Sequence, residues 1–343
     1  RWGVNPSSCG EKSRGLVSPM RRTIRWYRPL IGAARREAGM RTFTAAAVQV
    51  QPVHERLTAE TIKANVEHSV DYVERCVDAT EAELVVLPEA VTTGFTPGCS
   101  AYELWDVLGD ADGPTVRPLA DEARRLGIHL AWGTYVRGDE RGVVYNSAML
   151  AGPSGEVLGV YRKTHPFCTE LRSRGGWVTP GDDVCVVSTE LGRIGMMVCF
   201  DGDFPELARI MALEGAEVLA RPSALLRSAD IWELTNRARA YDNHVCVVGA
   251  NAVGIDPGGV LYFGNSMIVT PAAEVLAWGS THESWVSARL DPSVALASLT
   301  PGSSVRQGFD HLAERNLALL RRHVDTLLGE GATPFPYQPS ANE

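Results

Sequence analysis

No stretch of about eighteen consecutive uncharged apolar residues occurs in the 343-residue chain, so no segment has the length and polarity of a membrane-spanning helix. The usual zinc signatures are missing as well. The seven cysteines never form a CxxC pair, and there is no HExxH. An odd number of scattered cysteines does not describe a disulfide framework, and a reducing, cytoplasmic setting is the plainer expectation. Positive charge is scarce where a nucleic acid would need it. The chain carries 33 Lys and Arg against 41 Asp and Glu, and nine of those basic residues fall within 1–40 beside only two Glu. The remainder is strongly acidic, which argues against a nucleic-acid surface.

What is present is ordinary for a globular protein. Hydrophobic residues make up 45% and charged residues 22%, enough for a sizeable core. The basic start lacks the apolar centre of a secretory leader. It stops at Met40, after which RTFTAAAVQV reads at once as a strand. Residues 1–40 are therefore expected to be a non-native or disordered extension, or to follow a start placed too far upstream. Residues 41–330 are expected to form one domain and 331–343 a short tail.

From Met40 on, the punctuation is regular. Strands are expected at 42–50, 83–89, 128–136, 143–152 and 156–163, with helices over 57–79 and near 114–127. The run ELVVLPE (83–89) is apolar enough for a strand buried on both faces. The Gly- and Pro-rich piece 164–183 is too long to be an idle connection. Beyond it, strands near 184–189, 193–199, 217–221, 244–251, 264–270, 274–279 and 284–290 are interrupted by helices at 204–215 and 228–242. An amphipathic helix is expected over 306–329. Strands mixed with helices and hairpins predict an α/β fold with mixed sheets, two of them packed face to face.

Three reactive side chains stand where a strand gives way to a loop: Glu89 after VVLP, Lys163 after VYR and Cys199 after GMMV. Each has a bland explanation. Glu89 can open a loop in water, Lys163 can be a surface charge, and Cys199 can be a small core hydrophobe. Their coincidence at the ends of strongly apolar strands favours chemistry, with the three projecting from neighbouring strand ends. A thiol of ordinary pKa needs a base to become a nucleophile. A nearby carboxylate can take its proton and return it to a leaving amine. A lysine beside both keeps the carboxylate ionised and offers a donor to an oxyanion, as does the backbone N–H of Phe200.

With these motifs in hand, the chain resembles the nitrilase-like carbon–nitrogen hydrolases over essentially all of 41–290. LVVLPEA is similar to the family's glutamate motif, YRKTH to its lysine motif, and GMMVCFDGDFPELARIMALEGAEVL to its cysteine motif. RARAYDNHVCVVGAN and FGNSMIVTP match its downstream landmarks. The resemblance implies an α-β-β-α sandwich that assembles into homodimers or larger homo-oligomers. It makes Cys199 the nucleophile of a Glu89–Lys163–Cys199 triad, and it implies a second glutamate in the following loop, where Glu170 stands. Neither a metal nor an organic cofactor is implied. Phe95, Trp177 and Phe204, in loops near the motifs, are candidate pocket walls. His165 is expected to be solvated or hydrogen-bonded, and Cys168 to be structural.

The residues after the nucleophile bear on the substrate. Phe200-Asp201 is similar to the amidase and carbamoylase branches rather than to nitrilases. An acidic Asp203 would repel a substrate carboxylate, and DGDFPE is similar to a stretch of aliphatic amidases. A small neutral amide therefore leads as substrate, with a cationic one possible if Asp203 faces the pocket. N-carbamoyl-amine hydrolysis, nitrile hydrolysis and acyl transfer remain alternatives. A papain-like site would need a Cys–His pair that the eight histidines do not offer. A non-enzymatic scaffold would be expected to have lost a triad member.

Overall fold

Along Phe43–Gln49 (β1) the side chains alternate between two cores, as the period of two in a strand requires. Phe43, Ala45 and Ala47 face a second sheet, while Ala46 and Val48 face helices. The same division runs through Leu84–Val86 (β2), where Leu84 and Val86 point one way and Val85 the other. A strand buried on both faces has no room for a polar face, which explains the unbroken apolar run. In the computed structural model, residues 42–52, 56–110, 112–256, 258–292 and 311–328 are described. The basic extension 1–40 and the tail 331–343 lie outside them.

The further strands are β3 (His129–Arg137), β4 (Val144–Ala151), β5 (Val157–Arg162), β6 (Val186–Thr189), β7 (Gly192–Met196), β8 (Val218–Ser223) and β9 (Cys246–Asn251). They are followed by β10 (Val253–Ile255), β11 (Leu261–Phe263), β12 (Met267–Val269), β13 (Val275–Trp278) and β14 (Ser284–Leu290). Two six-stranded sheets result, in the orders β14-β1-β2-β3-β4-β5 and β13-β12-β9-β8-β7-β6. Each mixes parallel and antiparallel pairs: β1 runs parallel to β2 and antiparallel to β14, and β7 runs parallel to β8 and antiparallel to β6.

Helices cover the outer faces. They are α1 (Ala59–Thr80), which with α3 (Arg117–Leu126) lies on one sheet, and α4 (Pro205–Leu213) and α5 (Ala229–Asn243) on the other, while α2 (Ala101–Val107) packs Leu104 with Phe95 and Tyr135, and α6 (Leu317–Leu328) leaves Leu317, Leu319 and Leu320 exposed. Thr58 caps α1 by accepting from the Thr61 backbone, and the helix buries Ile62, Val66, Val73 and Cys76. Each such aliphatic side chain contributes about 1.5–3 kcal/mol when fully buried. Gly127 ends α3 in the left-handed region with φ 69°, where a side chain would be strained. On the other sheet, Leu207 and Met211 of α4 and Trp232 and Ala240 of α5 belong to one apolar cluster with its strands. The layers therefore run helix, sheet, sheet, helix.

The structure departs from the expected elements in places. Helix α2, capped by Ser100 with Glu103 reaching back, lies in a stretch that composition leaves unassigned. The β10–β11 hairpin is likewise an addition. Strand β7 stops at Met196, because Cys199–Asp203 turns into a short 3-10 segment. Of the helix expected over 306–329, the described part begins at Leu317. Among the described residues, no helix is long and apolar enough to cross a membrane.

Candidate active site

Glu89 reaches its position by crossing a neighbouring strand. After β2 the chain leaves the sheet at Pro88 and passes over Gly133 of β3, with Gly133 N–H donating to Pro88 O at 2.9 Å. A Cβ on Gly133 would overlap the backbone of Glu89, so the crossing requires glycine. The next residue, Ala90, has φ 49°, a left-handed conformation that costs a non-glycine residue about 1–2 kcal/mol. The carboxylate then lies over β4 beside the end of β5. Glu89 Oε1 accepts from Lys163 Nζ at 2.7 Å and from Asn146 Nδ2 at 2.7 Å, and Oε2 accepts from the Ala224 N–H at 2.8 Å.

Lys163 is wholly buried between two carboxylates, with Nζ 2.7 Å from Glu89 and 2.6 Å from Glu170. Burial pulls the ammonium down, but the two negative charges outweigh it and hold its pKa above the usual lysine value. Glu170 comes from the 164–183 loop, whose Phe167 N–H donates to its Oε2 at 2.7 Å. Burial pushes the Glu170 carboxyl up, and Lys163 opposes the shift. Asn146 ties the pair together. Its Nδ2 donates to both Glu89 Oε1 and Glu170 Oε1 at 2.7 Å, an arrangement that admits only the amide nitrogen facing two carboxylates.

Cys199 arrives from the other sheet. It opens the 3-10 segment after β7 with φ 46°, so the backbone is strained at this residue as well as after Glu89. Asp201 holds the turn. It accepts from the Val198 N–H at 2.9 Å and from Tyr161 OH at 2.9 Å, and its other oxygen accepts from the His165 N–H at 3.0 Å. Asp201 thus fastens the cysteine turn to the residues around Lys163. The Cys199 thiol is pushed well above its ordinary pKa, first by burial and then by the charge of Glu89, while Lys163 and Arg221 pull the other way. The resting thiol is therefore neutral near pH 7 and needs a base to react.

The cleft above Cys199 is narrow and walled by Phe95, Phe167 and Phe200, with Leu225, Leu226 and Arg227, so its lining is mostly apolar. A wider groove beside Leu57, Glu103 and Asp106 holds none of Glu89, Lys163 and Cys199. Arg227 closes one end of the cleft. Its guanidinium lies 5.5 Å from the centre of the Phe200 ring and donates to both Asp203 oxygens at 2.6 and 2.7 Å. Asp203 is therefore no free anion at the mouth, and it offers no open anchor for a cationic substrate.

The sequence-derived residues fall into two groups. Glu89, Lys163, Glu170 and Cys199 converge, and Phe95 and Phe200 line the cleft with Cys199. Trp177 stands behind Phe95 with ring centres 6.4 Å apart, and Phe204 stacks on His165 at 3.9 Å; neither is among the cleft-lining residues. His165 Nδ1 lies 3.0 Å from Asp201, and Cys168 is an exposed thiol. The expectation of neighbouring strand ends does not hold. Strands β3 and β4 separate β2 from β5, and β7 belongs to the other sheet. Side-chain reach across the sheet-to-sheet gap brings the groups together instead. Asn146, Arg221, Phe167 and Arg227 were not anticipated. For Asn146 and Arg221 a signal existed, since each is a large polar or charged side chain in a buried strand.

The sequence profile of the family described as carbon-nitrogen hydrolase matches residues 44–297. The omega-amidase NIT2 of Homo sapiens is 30% identical over 261 residues, spanning 74% of this chain and 90% of that protein. A nitrilase of Pyrococcus abyssi is 37% identical over 207 residues, 59% of this chain and 74% of that protein. The crystal structure of a carbon-nitrogen hydrolase from Helicobacter pylori G27 superposes with a TM-score of 0.66 at 28% identity, covering 74% of this chain and 90% of that one.

Proposed function

Since the chain belongs to the carbon-nitrogen hydrolase family of the nitrilase superfamily, we propose that it is an amidase that converts a small amide into a carboxylic acid and ammonia through a thioester. The observation that carries this reading is the buried Glu89–Lys163–Glu170 network, whose Glu89 and Lys163 act electrostatically on Cys199 and whose Glu89 is tied to Ala224 in the wall of the cleft that Cys199 lines. In the proposed first step Glu89 takes the Cys199 proton as sulfur attacks the amide carbon. Lys163 Nζ and the Phe200 N–H receive the oxyanion. Collapse of the tetrahedral intermediate breaks the C–N bond, and the proton held by Glu89 leaves on ammonia. Glu89 then accepts a proton from water as the oxygen attacks the thioester, and the sulfur regains its proton as the acid departs.

The roles divide by environment. The raised thiol pKa favours proton transfer at the moment of attack over a standing thiolate. Glu170 and Asn146 orient Lys163 and Glu89. The apolar walls and the neutral Arg227–Asp203 pair favour an uncharged amide. A second reading is an amide whose far end carries a carboxylate. Arg227 at the lip of the cleft and the omega-amidase among the relatives favour it, but Asp203 would first have to release its hold.

Ammonia release across short aliphatic amides, aromatic amides, carboxylate-bearing amides, carbamoyl compounds and nitriles tests the proposal, with Cys199→Ala as the blank. Turnover of neutral amides by the wild type and none by the folded variant is expected. Equal rates for the two would overturn the assignment. Adding hydroxylamine and assaying for hydroxamate reports acyl transfer in place of hydrolysis. We also take the chain to act as a homo-oligomer, with exposed Ile210 on α4 and Leu234 and Tyr241 on α5 as apolar surface that a second copy would cover.

A further inference from the structure

Arg221 lies on β8, a strand whose every residue is buried, and its own side chain has no exposure at all. Arginine is almost never fully buried unless paired. Here the hydrogen-bond partners are all neutral. Nε and Nη2 donate to the carbonyl oxygen of Cys199 at 3.2 and 2.7 Å, and Nη1 donates to Thr235 Oγ1 at 2.9 Å and Asn236 Oδ1 at 2.7 Å. One face of the guanidinium covers the Trp232 ring, 4.8 Å from its centre. Among the described residues no carboxylate makes an ion pair with it; Asp203 and Asp201 act on it only at longer range. A buried cation without an anion is expensive, and burial pulls this one down to about 10.

The surroundings are built to keep it there. Gly202, three residues after the nucleophile, supplies the space: a Cβ at that position would fall inside the guanidinium. What Arg221 grips is the peptide between Cys199 and Phe200. Across a planar trans peptide the C=O and the following N–H point in opposite directions. Holding the Cys199 carbonyl against the guanidinium therefore turns the Phe200 N–H away from it, and that N–H donates to no acceptor among the described residues. The strained φ at Cys199 makes this orientation one that needs an external hold. Arg221 and the Cys199 sulfur also sense each other electrostatically, each favouring the other's charged form.

We propose that Arg221 is a positioning residue for the nucleophile: it pins the Cys199 carbonyl so that the Phe200 N–H is aimed at the reacting oxygen, and it is a countercharge for the negative charge that develops on sulfur as Glu89 takes the proton during attack. This rests on the reading of Cys199 as nucleophile and Phe200 N–H as oxyanion donor. The two roles separate experimentally. Lysine can restore the charge but not the two-pronged grip on a carbonyl.

The test compares wild type with Arg221→Met, Arg221→Lys and Gly202→Ala, each checked for folding by circular dichroism. Two readouts are taken: kcat and KM for amide hydrolysis, and the pH dependence of iodoacetamide alkylation at Cys199, mapped by peptide mass. Arg221→Met should lower kcat about 100- to 1,000-fold, the usual loss for one oxyanion-hole donor, with little change in KM. It should also move the alkylation profile to higher pH. Arg221→Lys should bring the alkylation profile back toward wild type while kcat stays low. Gly202→Ala, which displaces the guanidinium without removing it, should lower kcat in the same direction. A folded Arg221→Met with wild-type kcat and a wild-type alkylation profile would overturn the proposal. If that variant does not fold, wild-type kcat in both Arg221→Lys and Gly202→Ala overturns it. A wild type that hydrolyses no amide defeats the amidase reading instead, and the alkylation profile still judges Arg221.

Discussion

The guanidinium of Arg227 and the carboxylate of Asp203 meet through two parallel hydrogen bonds at the lip of the cleft, so the charge nearest the substrate entrance is neutralised from within the chain. Asp203 sits where a substrate carboxylate would otherwise find the arginine. Replacing it by Asn leaves Arg227 as an unpaired cation beside Phe200. The ratio of kcat/KM for a carboxylate-bearing amide to that for a neutral amide of equal length should rise about three- to tenfold, the equivalent of roughly 1 kcal/mol for a partly exposed pair. An unchanged ratio would mean that Arg227 does not address the substrate.

Asn146 bridges the two carboxylates that flank Lys163. A hydrogen bond to a charged group contributes about 1.5–3 kcal/mol, and 1.4 kcal/mol is a factor of ten. Asn146→Ala should therefore lower kcat by at least about tenfold with the fold retained, as read by steady-state kinetics beside a thermal melt. Full activity would show that Lys163 alone fixes both carboxylates.

Gly133 provides the gap through which Glu89 crosses β3. Gly133→Ala forces the crossing segment outward, and a displacement of about 1 Å at a reacting group can cost on the order of a hundredfold in rate. The variant should lose that much kcat while its melting temperature falls by the equivalent of about 1–3 kcal/mol, the usual cost of overpacking. Normal turnover in the variant would place the crossing outside the chemistry.

Buried thiols set the alkaline limit. Burial raises Cys76 to about 11 and Cys246 to about 12, and it raises Cys199 as well. For an acid whose folded pKa lies above its unfolded value of about 8.5, the protonated form is the one the fold favours. The stability these groups contribute is complete below about pH 8.5 and declines as pH rises toward their folded values. Melting temperature should fall steadily from pH 8.5 to 10.5, and Cys199 alkylation should climb with pH without a plateau below about pH 9. A plateau near neutrality would reveal a standing thiolate and contradict the proposed transfer to Glu89.

Much of the fold was legible because its signals are local. The β-rich TFTAAAVQV and the apolar run before Pro88 mark strands from composition that needs no distant partner. The recurring apolar positions over 57–79 mark a helix in the same local way. Helix α2 and the β10–β11 hairpin escaped because seven and three residues are too short for periodicity to speak, although Ser100 and Glu103 carried a capping signal. Among the pocket walls, loop position near the motifs could not tell Phe95, which faces the cleft, from Trp177, which stands behind it.

Residue type and strand-end placement, both properties of the linear chain, singled out Glu89, Lys163 and Cys199 as candidates, because few side chains can serve as base, cation and sulfur nucleophile. Only the tertiary structure decided how they meet. Lys163 comes from the far edge of one sheet and Cys199 from another, and what joins them is a glycine crossing, an asparagine on the intervening strand and a carboxylate that spans the gap. Those contacts link residues dozens of positions apart, so they depend on packing between sheets, which no local pattern encodes. The same holds for the Arg227–Asp203 pair: charge at each position is plain in the chain, but whether it faces substrate as a free ion or is cancelled by a neighbour is a matter of three-dimensional distance.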